Sequence, residues 1–472
     1  MKNFNNKNIE SSNLTKVTWK FVIVLICVLA VVLSMYSCDD FVEVELPNSQ
    51  LTAEAVFEDQ AIANAAMTEI YAKIREYGVL SGSTFGLGLQ LGIYADELDF
   101  YGNESLSLFY NNSIVASNPD IKSLWDTSYN QIYDANAVIE GVEKSVNLSL
   151  TERAQLKGEA LFVRTLIHFY LANMFGDVPY ITTTNYELNR MVTRTAVSEV
   201  YNLIKVDLEQ ALQLLPEDYL TFNRTRPNKY AAHALLARVN LYAGLWEEAL
   251  NETSTIINNT QLYVYEDLST MFLKESKSTI WQIDPGYDGG NASESFTYNF
   301  TSTPPPLVAL SSNLMNTFSN NDQRKALWTK AITDGTKTWV HPFKYKYYSG
   351  TSVEYSIIFR LSEMYLIRAE ARAQSGNLSG AKEDLNVIRS NAGLSNTTAM
   401  TQIEILDAIL KERRLELFTE FGHRFFDLKR FNKIQLVLSE VKSGWDASDI
   451  LFPIPEAELN LNPNLLPQNP GY

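Results

Sequence analysis

Cysteine and histidine are scarce in this sequence, with two of the first and four of the second in 472 residues. Cys27 lies inside an apolar run near the N-terminus and Cys38 just after it. Removal of that run leaves no cysteine pair to form an internal disulfide. The histidines have neither metal-site nor triad spacing. Positive charge is short as well: 39 Lys and Arg stand against 55 Asp and Glu, a net of −16. That balance excludes the clustered cations that grip a phosphate backbone, and nucleic acid with them. Nothing resembles a P-loop, a dinucleotide fingerprint or a nucleophile elbow. The longest apolar run, residues 21–33, spans about 20 Å as a helix, short of the roughly 30 Å hydrocarbon core of a bilayer.

That run follows Lys2, Lys7, Lys16 and Lys20 with a single Glu10, the charged and apolar regions of a secretory signal. Leu33-Ser34-Met35-Tyr36-Ser37-Cys38 comes next. A small residue directly before a cysteine at this place resembles a lipoprotein processing site, so residues 1–37 are expected to be removed and Cys38 to carry lipid. Losing the leader, with its four Lys and one Glu, takes the formal charge from −16 to −19. Anionic lipid would repel so acidic a body, leaving the acyl chains to hold it at the membrane.

Hydrophobic residues at 46% and charged residues at 20% describe an ordinary globular chain. The excess lies in 25 Tyr and 23 Phe, more than a helical core of this size needs. Residues 38–52 read as an acidic tether. Helical spacing marks 54–77, 124–143, 151–174, 197–215 and 228–241, then 356–374, 379–391 and 403–421. Between them, 81–110 shows little helical period, and 257–350 is broken by Pro304-Pro305-Pro306, Gly286, Gly289 and Gly290. Thr279-Ile280-Trp281-Gln282-Ile283 reads as a strand. Gly244-Leu245-Trp246-Glu247-Glu248-Ala249 and Gly376-Asn377-Leu378-Ser379-Gly380-Ala381 each place Gly five residues before Ala between two helices, which resembles the turn of a tetratricopeptide repeat. The expected fold is mainly α, with tetratricopeptide-like helix pairs forming a scaffold, short strands, and an irregular, loop-rich region that binds ligand. The expected divisions are an N-terminal helical region at 53–256, a loop-rich insertion at 257–355, and a C-terminal helical region with an extended tail at 356–472.

Several motifs occur in one order along the chain. Glu159-Ala160-Leu161-Phe162-Val163-Arg164 leads to Phe175-Gly176-Asp177-Val178-Pro179-Tyr180; Arg360-Leu361-Ser362-Glu363-Met364-Tyr365-Leu366-Ile367-Arg368-Ala369-Glu370-Ala371 follows. Glu412-Arg413-Arg414-Leu415-Glu416-Leu417 continues into Gly422-His423-Arg424-Phe425-Phe426-Asp427, and the chain ends through Phe452-Pro453-Ile454-Pro455 to Gly471-Tyr472. In these the sequence resembles the SusD/RagB family of Bacteroidetes outer-membrane nutrient-binding lipoproteins. The resemblance implies a partner, a SusC-like TonB-dependent transporter whose substrate chamber the protein covers. It also implies an oligosaccharide ligand, or a peptide as in the RagB branch, with no cofactor and no catalysis.

Glu412, Glu416 and Glu420 stand at i, i+4, i+8 beside Arg413 and Arg414, a pattern expected to form ion pairs within one helix. His168, His423 and Asp177 are read as structural. Asp96, Glu97 and Asp99 are the nearest approach to a carboxylate pair for glycoside hydrolysis; a polar helix end or a Ca²⁺-competent loop is the plainer reading. A sugar ring offers an apolar face and a rim of hydroxyls, so its site needs flat aromatics beside hydrogen-bonding side chains. That mixture selects Phe100, Tyr101 and Asn103 in one stretch, Tyr287, Asp288 and Tyr298 in another, and Trp339 in a third. A surface glycoside hydrolase and a scaffold that binds only protein are the competing readings.

Overall fold

The computed structural model describes residues 56–102 and 105–472, together with Trp19, Val22, Leu25 and Ile26. The last four are helical positions of an N-terminal unit, 1–52, distinct from the unit 53–472. Cys38, the processing site, the tether at 38–52 and Asn103 lie outside the described residues.

Helix α1 is Gln60–Glu76, α2 Leu87–Tyr94, α3 Pro119–Lys144 and α4 Leu150–Phe175. Each start has a chemical cause: Asp59 accepts from the Ile62 N–H ahead of α1, and Asn118 caps α3 with Pro119 in the first turn. Ser149 and Glu152 form a reciprocal capping box at α4. From Leu161 to Phe175 every residue of α4 is buried. Around this central rod pack α3 and α5 (Val197–Leu214).

Helices α6 (Lys229–Tyr242) and α7 (Trp246–Ile257) form a hairpin, as do α8 (Leu361–Gln374) and α9 (Leu378–Asn391). Gly244 and Gly376 hold φ of +73° and +81° at the two turns, as the repeat reading required. Helix α7 packs directly on α8, and α10 (Gln402–Glu416) on α8 and α9. The hairpins are neighbours in space although residues 258–360 separate them in sequence, so that long segment is an excursion from a continuous helical stack. It carries short strands: β2 (Thr279–Ile283) pairs antiparallel with β6 (Ser356–Arg360), β4 (Thr329–Thr333) with β5 (Thr338–Pro342), and β3 (Val308–Leu310) with the earlier β1 (Leu98–Phe100).

Three expectations change. Residues 356–360 are strand rather than the start of a helix; Ile357, Ile358 and Phe359 are all buried beside β2, and helix begins at Leu361. The stretch 81–110 contains α2, Leu-Gly-Leu-Gln-Leu-Gly-Ile-Tyr, buried at every residue. A helix with no wet face leaves no amphipathic period to detect.

The third change concerns Glu412, Glu416 and Glu420. None pairs with Arg413 or Arg414. Arg324 donates to Glu412 and, at 3.0 Å, to Glu416. Arg360 donates to Glu416 at 2.6 Å and to Glu420 at 2.9 Å, and Lys344 also binds Glu420. Arg413 turns instead to Asp427 and Arg414 to Asp96, each at 2.7 Å. Helix α10 ends at Glu416, and these carboxylates bind cations of the excursion across a buried interface.

Candidate ligand-binding groove

Where α1 ends, Tyr77 and the turn at Gly78 send the chain outward, and Phe85 follows in a short polar loop. The facing wall is the loop 285–292 and the helix Ser293–Tyr298. Tyr348 closes one end. Together they outline an open groove of about 660 Å³. Tyr77, Phe85, Tyr287, Phe296 and Tyr348 present their rings to it, each between 47% and 69% exposed. Tyr77 and Phe85 lie 5.9 Å apart at 56°, and Phe296 and Tyr348 lie 5.2 Å apart at 32°. Rings so disposed leave apolar faces open to a ligand.

The backbone beneath is pinned. The buried Asn291 side chain accepts from the N–H groups of Val353 (2.9 Å) and Glu354 (3.0 Å) and donates to the Thr351 carbonyl at 3.2 Å. Glu354 in turn accepts from the N–H groups of Lys346 and Tyr347 at 2.7 and 3.0 Å. Thr297 donates to the Gly82 carbonyl at 2.9 Å, joining the two walls. Arg75 donates to Glu76 at 2.9 Å and to the Asp284 carbonyl at 3.3 Å. Gly286, at φ +86°, lets the loop pass over that guanidinium, which a β-carbon would strike.

The candidate residues separate into four places. Tyr287 lines the groove, with Asp288 exposed beside it. Tyr101 and Trp339 meet in another patch, around Phe300 and Ala309, where the Lys337 ammonium sits 5.9 Å and 5.1 Å from their rings. Phe100 is half-buried and packs near Tyr110 at 6.3 Å. Tyr298 belongs to the core: it is 5% exposed, and burial pushes its hydroxyl pKa well above the ordinary range. A stacking role is closed to it. Tyr77 and Phe85 were missed, one read as a helix end and the other lost among Ser81, Gly82, Ser83 and Thr84.

Asp96 and Glu97 are buried away from the groove. Asp96 is clamped by Arg414 and Arg424 at 2.7 Å each, and its pKa is lowered although burial opposes this. Burial pushes Glu97 up to about 7, where it accepts from the Thr419 N–H at 3.2 Å. His168 is a core tie: its Nε2 accepts from the Ile181 N–H at 3.1 Å, and Nδ1 faces the Arg164 carbonyl at 2.8 Å. Asp177 accepts from the Val197 N–H at 3.0 Å, fixing a turn.

Two family models match the chain. One, described as "Starch-binding associating with outer membrane", covers residues 40–241, and the other, described as "SusD family", covers 310–472. The chain belongs to the SusD family. SusD-like protein P2 of Formosa agariphila is 27% identical over 94% of this chain and 98% of its own length. SusD-like protein P38 of the same organism is 27% identical over 77% and 82%. Among solved structures, a laminarin-binding SusD-like protein superposes with a TM-score of 0.74 at 24% identity, over 87% of this chain and 99% of that one. Surface glycan-binding protein A from Bacteroides fluxus does so with 0.72 at 21% identity, over 88% and 100%. These superpositions establish the SusD fold for the helical stack and its excursion. Among the described residues no helix is long and apolar enough to cross a membrane.

Proposed function

We propose that this SusD-family protein captures an oligosaccharide in the groove between Tyr77 and Tyr348 and passes it to a SusC-like TonB-dependent transporter. The observation that carries the reading is the ring of five exposed aromatics over a pinned, open groove, placed where loops and one short helix meet. Sugars stack on such rings while Asn, Ser and Arg side chains bond their hydroxyls. The two glycan-binding structural neighbours support the ligand class. The chemistry is capture without cleavage: Glu76 is the one carboxylate among the described lining residues and is bonded to Arg75, whereas glycoside hydrolysis needs two. In this reading 257–355 supplies ligand-facing loops to a scaffold made of 53–256 and 356–472. Lipid on Cys38 would hold the protein to the outer membrane at the cell surface.

Affinity electrophoresis in polysaccharide gels tests it. Retention without released reducing sugar is expected for the native protein, and replacing Tyr287, Phe296 and Tyr348 together by Ala should weaken binding tenfold or more, about 1.4 kcal/mol. Tyr298→Phe should leave binding unchanged. Undiminished retention of the triple variant would remove the site, and tighter binding of peptides than of any glycan would remove the ligand class.

A further inference from the structure

A second groove lies on other elements and shares no lining residue with the first. It has a volume of about 570 Å³ and runs between α3, the segment 179–192 and the short helical segment 458–465. Its floor is an aromatic stripe on α3. Trp125, Tyr129 and Tyr133 stand four residues apart and therefore on one helical face. Along the stripe the rings emerge from the protein. Trp125 is buried edge-on against Phe175, 5.1 Å between centroids, and Tyr129 is half-buried with its hydroxyl donating to the Pro179 carbonyl at 2.9 Å. Tyr133 is half exposed. The opposite wall presents Tyr186, 73% exposed, and the third wall Leu461.

These walls are fixed. Glu140 of α3 accepts from the Thr183 hydroxyl and from both the N–H and the hydroxyl of Thr184, at 2.8 to 2.9 Å for the first two and 2.7 Å for the last. Asn185 caps the turn that carries Tyr186, and Asn462 donates to the Val192 carbonyl at 2.8 Å. Tyrosine spends little conformational freedom on binding, since it has two side-chain torsions, and a pinned wall spends less still. The rim mixes Asp126, Asn130, Asn189 and Glu458. Its charges have local partners: Asp126 and Glu458 face Lys122, and Arg190 is paired with Glu187 at 2.7 Å. Compensated charge and open tyrosine faces suit an uncharged polyhydroxyl ligand better than an ionic one.

We infer that this groove is a second oligosaccharide site, which takes a neutral glycan segment between Tyr133 and Tyr186. The ligand class rests on the glycan reading of the first groove; the location does not. Two sites on one protein let a long polysaccharide bind twice, the second engagement being intramolecular with a high effective concentration, so retention on polymer exceeds what either groove gives alone.

The test is calorimetry with neutral gluco-, xylo- and manno-oligosaccharides, on the native chain and on two double variants. One is Tyr133→Ala with Tyr186→Ala, the other Tyr287→Ala with Phe296→Ala. All four side chains are exposed, and unchanged thermal melting confirms folding. The native protein should bind two oligosaccharides, and each double variant one. Retention on the matching insoluble polymer should fall tenfold or more in either. A native stoichiometry of one that Tyr133→Ala with Tyr186→Ala leaves unchanged overturns the second site and spares the first. A stoichiometry of one lost with Tyr133 and Tyr186 alone overturns the first groove and not this one. Peptide binding at Tyr133 and Tyr186 without glycan binding there, or no glycan bound by either groove, overturns the inference.

Discussion

Glu294 stands in the first turn of the helix that brings Phe296 to the groove, yet its own carboxyl is buried. Oε1 accepts from the Ser356 hydroxyl, and Oε2 has no hydrogen-bond partner among the described residues. Burial pushes its pKa from 4.5 up to about 7, with the carboxylates of Glu420 and Glu354 adding to the rise. A raised carboxyl binds its proton more tightly folded than unfolded. The stability contributed by the neutral form is therefore complete below pH 4.5 and is lost as pH rises through 7. At about 1.4 kcal/mol per unit, a gap of about 2.5 units makes the loss roughly 3 kcal/mol. Glu294→Gln keeps the shape and cannot ionise. Urea unfolding should find the variant within about 1 kcal/mol of the native protein at pH 5 and more stable than it by about 3 kcal/mol at pH 8. Because Glu97 rises to about 7 for the same reason, the difference between proteins, and not the native profile alone, isolates Glu294. An equal difference at both pH values, or a native protein more stable at pH 8, would refute the reasoning.

Arg360→Met leaves Glu416 and Glu420 short of a buried cation and should cost about 3–5 kcal/mol in chemical unfolding; a cost under about 1 kcal/mol would mean that water compensates these carboxylates. Gly376→Val should destabilise by on the order of 1 kcal/mol or more. None of the described residues has an atom within 4 Å of a β-carbon there, so the loss measured by thermal melting reports backbone strain at φ +81°.

The helices with two unlike faces, and the turns that break them, were readable because each needs only local chemistry. Residues 197–214 announce themselves by Val200, Ile204, Leu208 and Ala211 at helical spacing on one buried face, and Gly376 by its place between two periodic segments. Apart from the wholly buried helix α2, what failed depended on a distant partner. The strand at 356–360 exists because 279–283 lies alongside it, and Glu412 seeks Arg324, which is 88 residues away. The groove shows the same limit on a smaller scale. Phe296 and Tyr298 look alike in sequence, but on a helix two residues subtend about 200°, so one ring faces the ligand side and the other the core. The helix Ser293–Tyr298 is too short to declare itself in advance.

The ionic network explains how a loop-rich excursion can hold a rigid site. Arg324, Lys344 and Arg360 all belong to the excursion or its last strand, and Glu412, Glu416 and Glu420 to the helix and turn of the C-terminal scaffold. Apolar contacts would join the two parts in several registers of similar energy. A buried guanidinium with two carboxylates at fixed distances has one good arrangement, and displacement leaves charges unpaired at several kcal/mol each. Lys344 extends the network by donating to the carbonyls of Glu416 and Phe418 at 2.7 and 2.9 Å. Tyr345, the next residue, receives the Asn299 amide on its carbonyl at 3.0 Å, one residue beyond the groove helix. Hydrogen bonds and the backbone between Lys344 and Tyr345 thus link the scaffold carboxylates to Asn299, the residue that follows the helix bearing Phe296. Arg360→Met should accordingly loosen the groove as well as the core, so that glycan affinity falls in Arg360→Met although Arg360 lies outside the lining, while Gly376→Val, at a remote turn, lowers stability and leaves affinity intact.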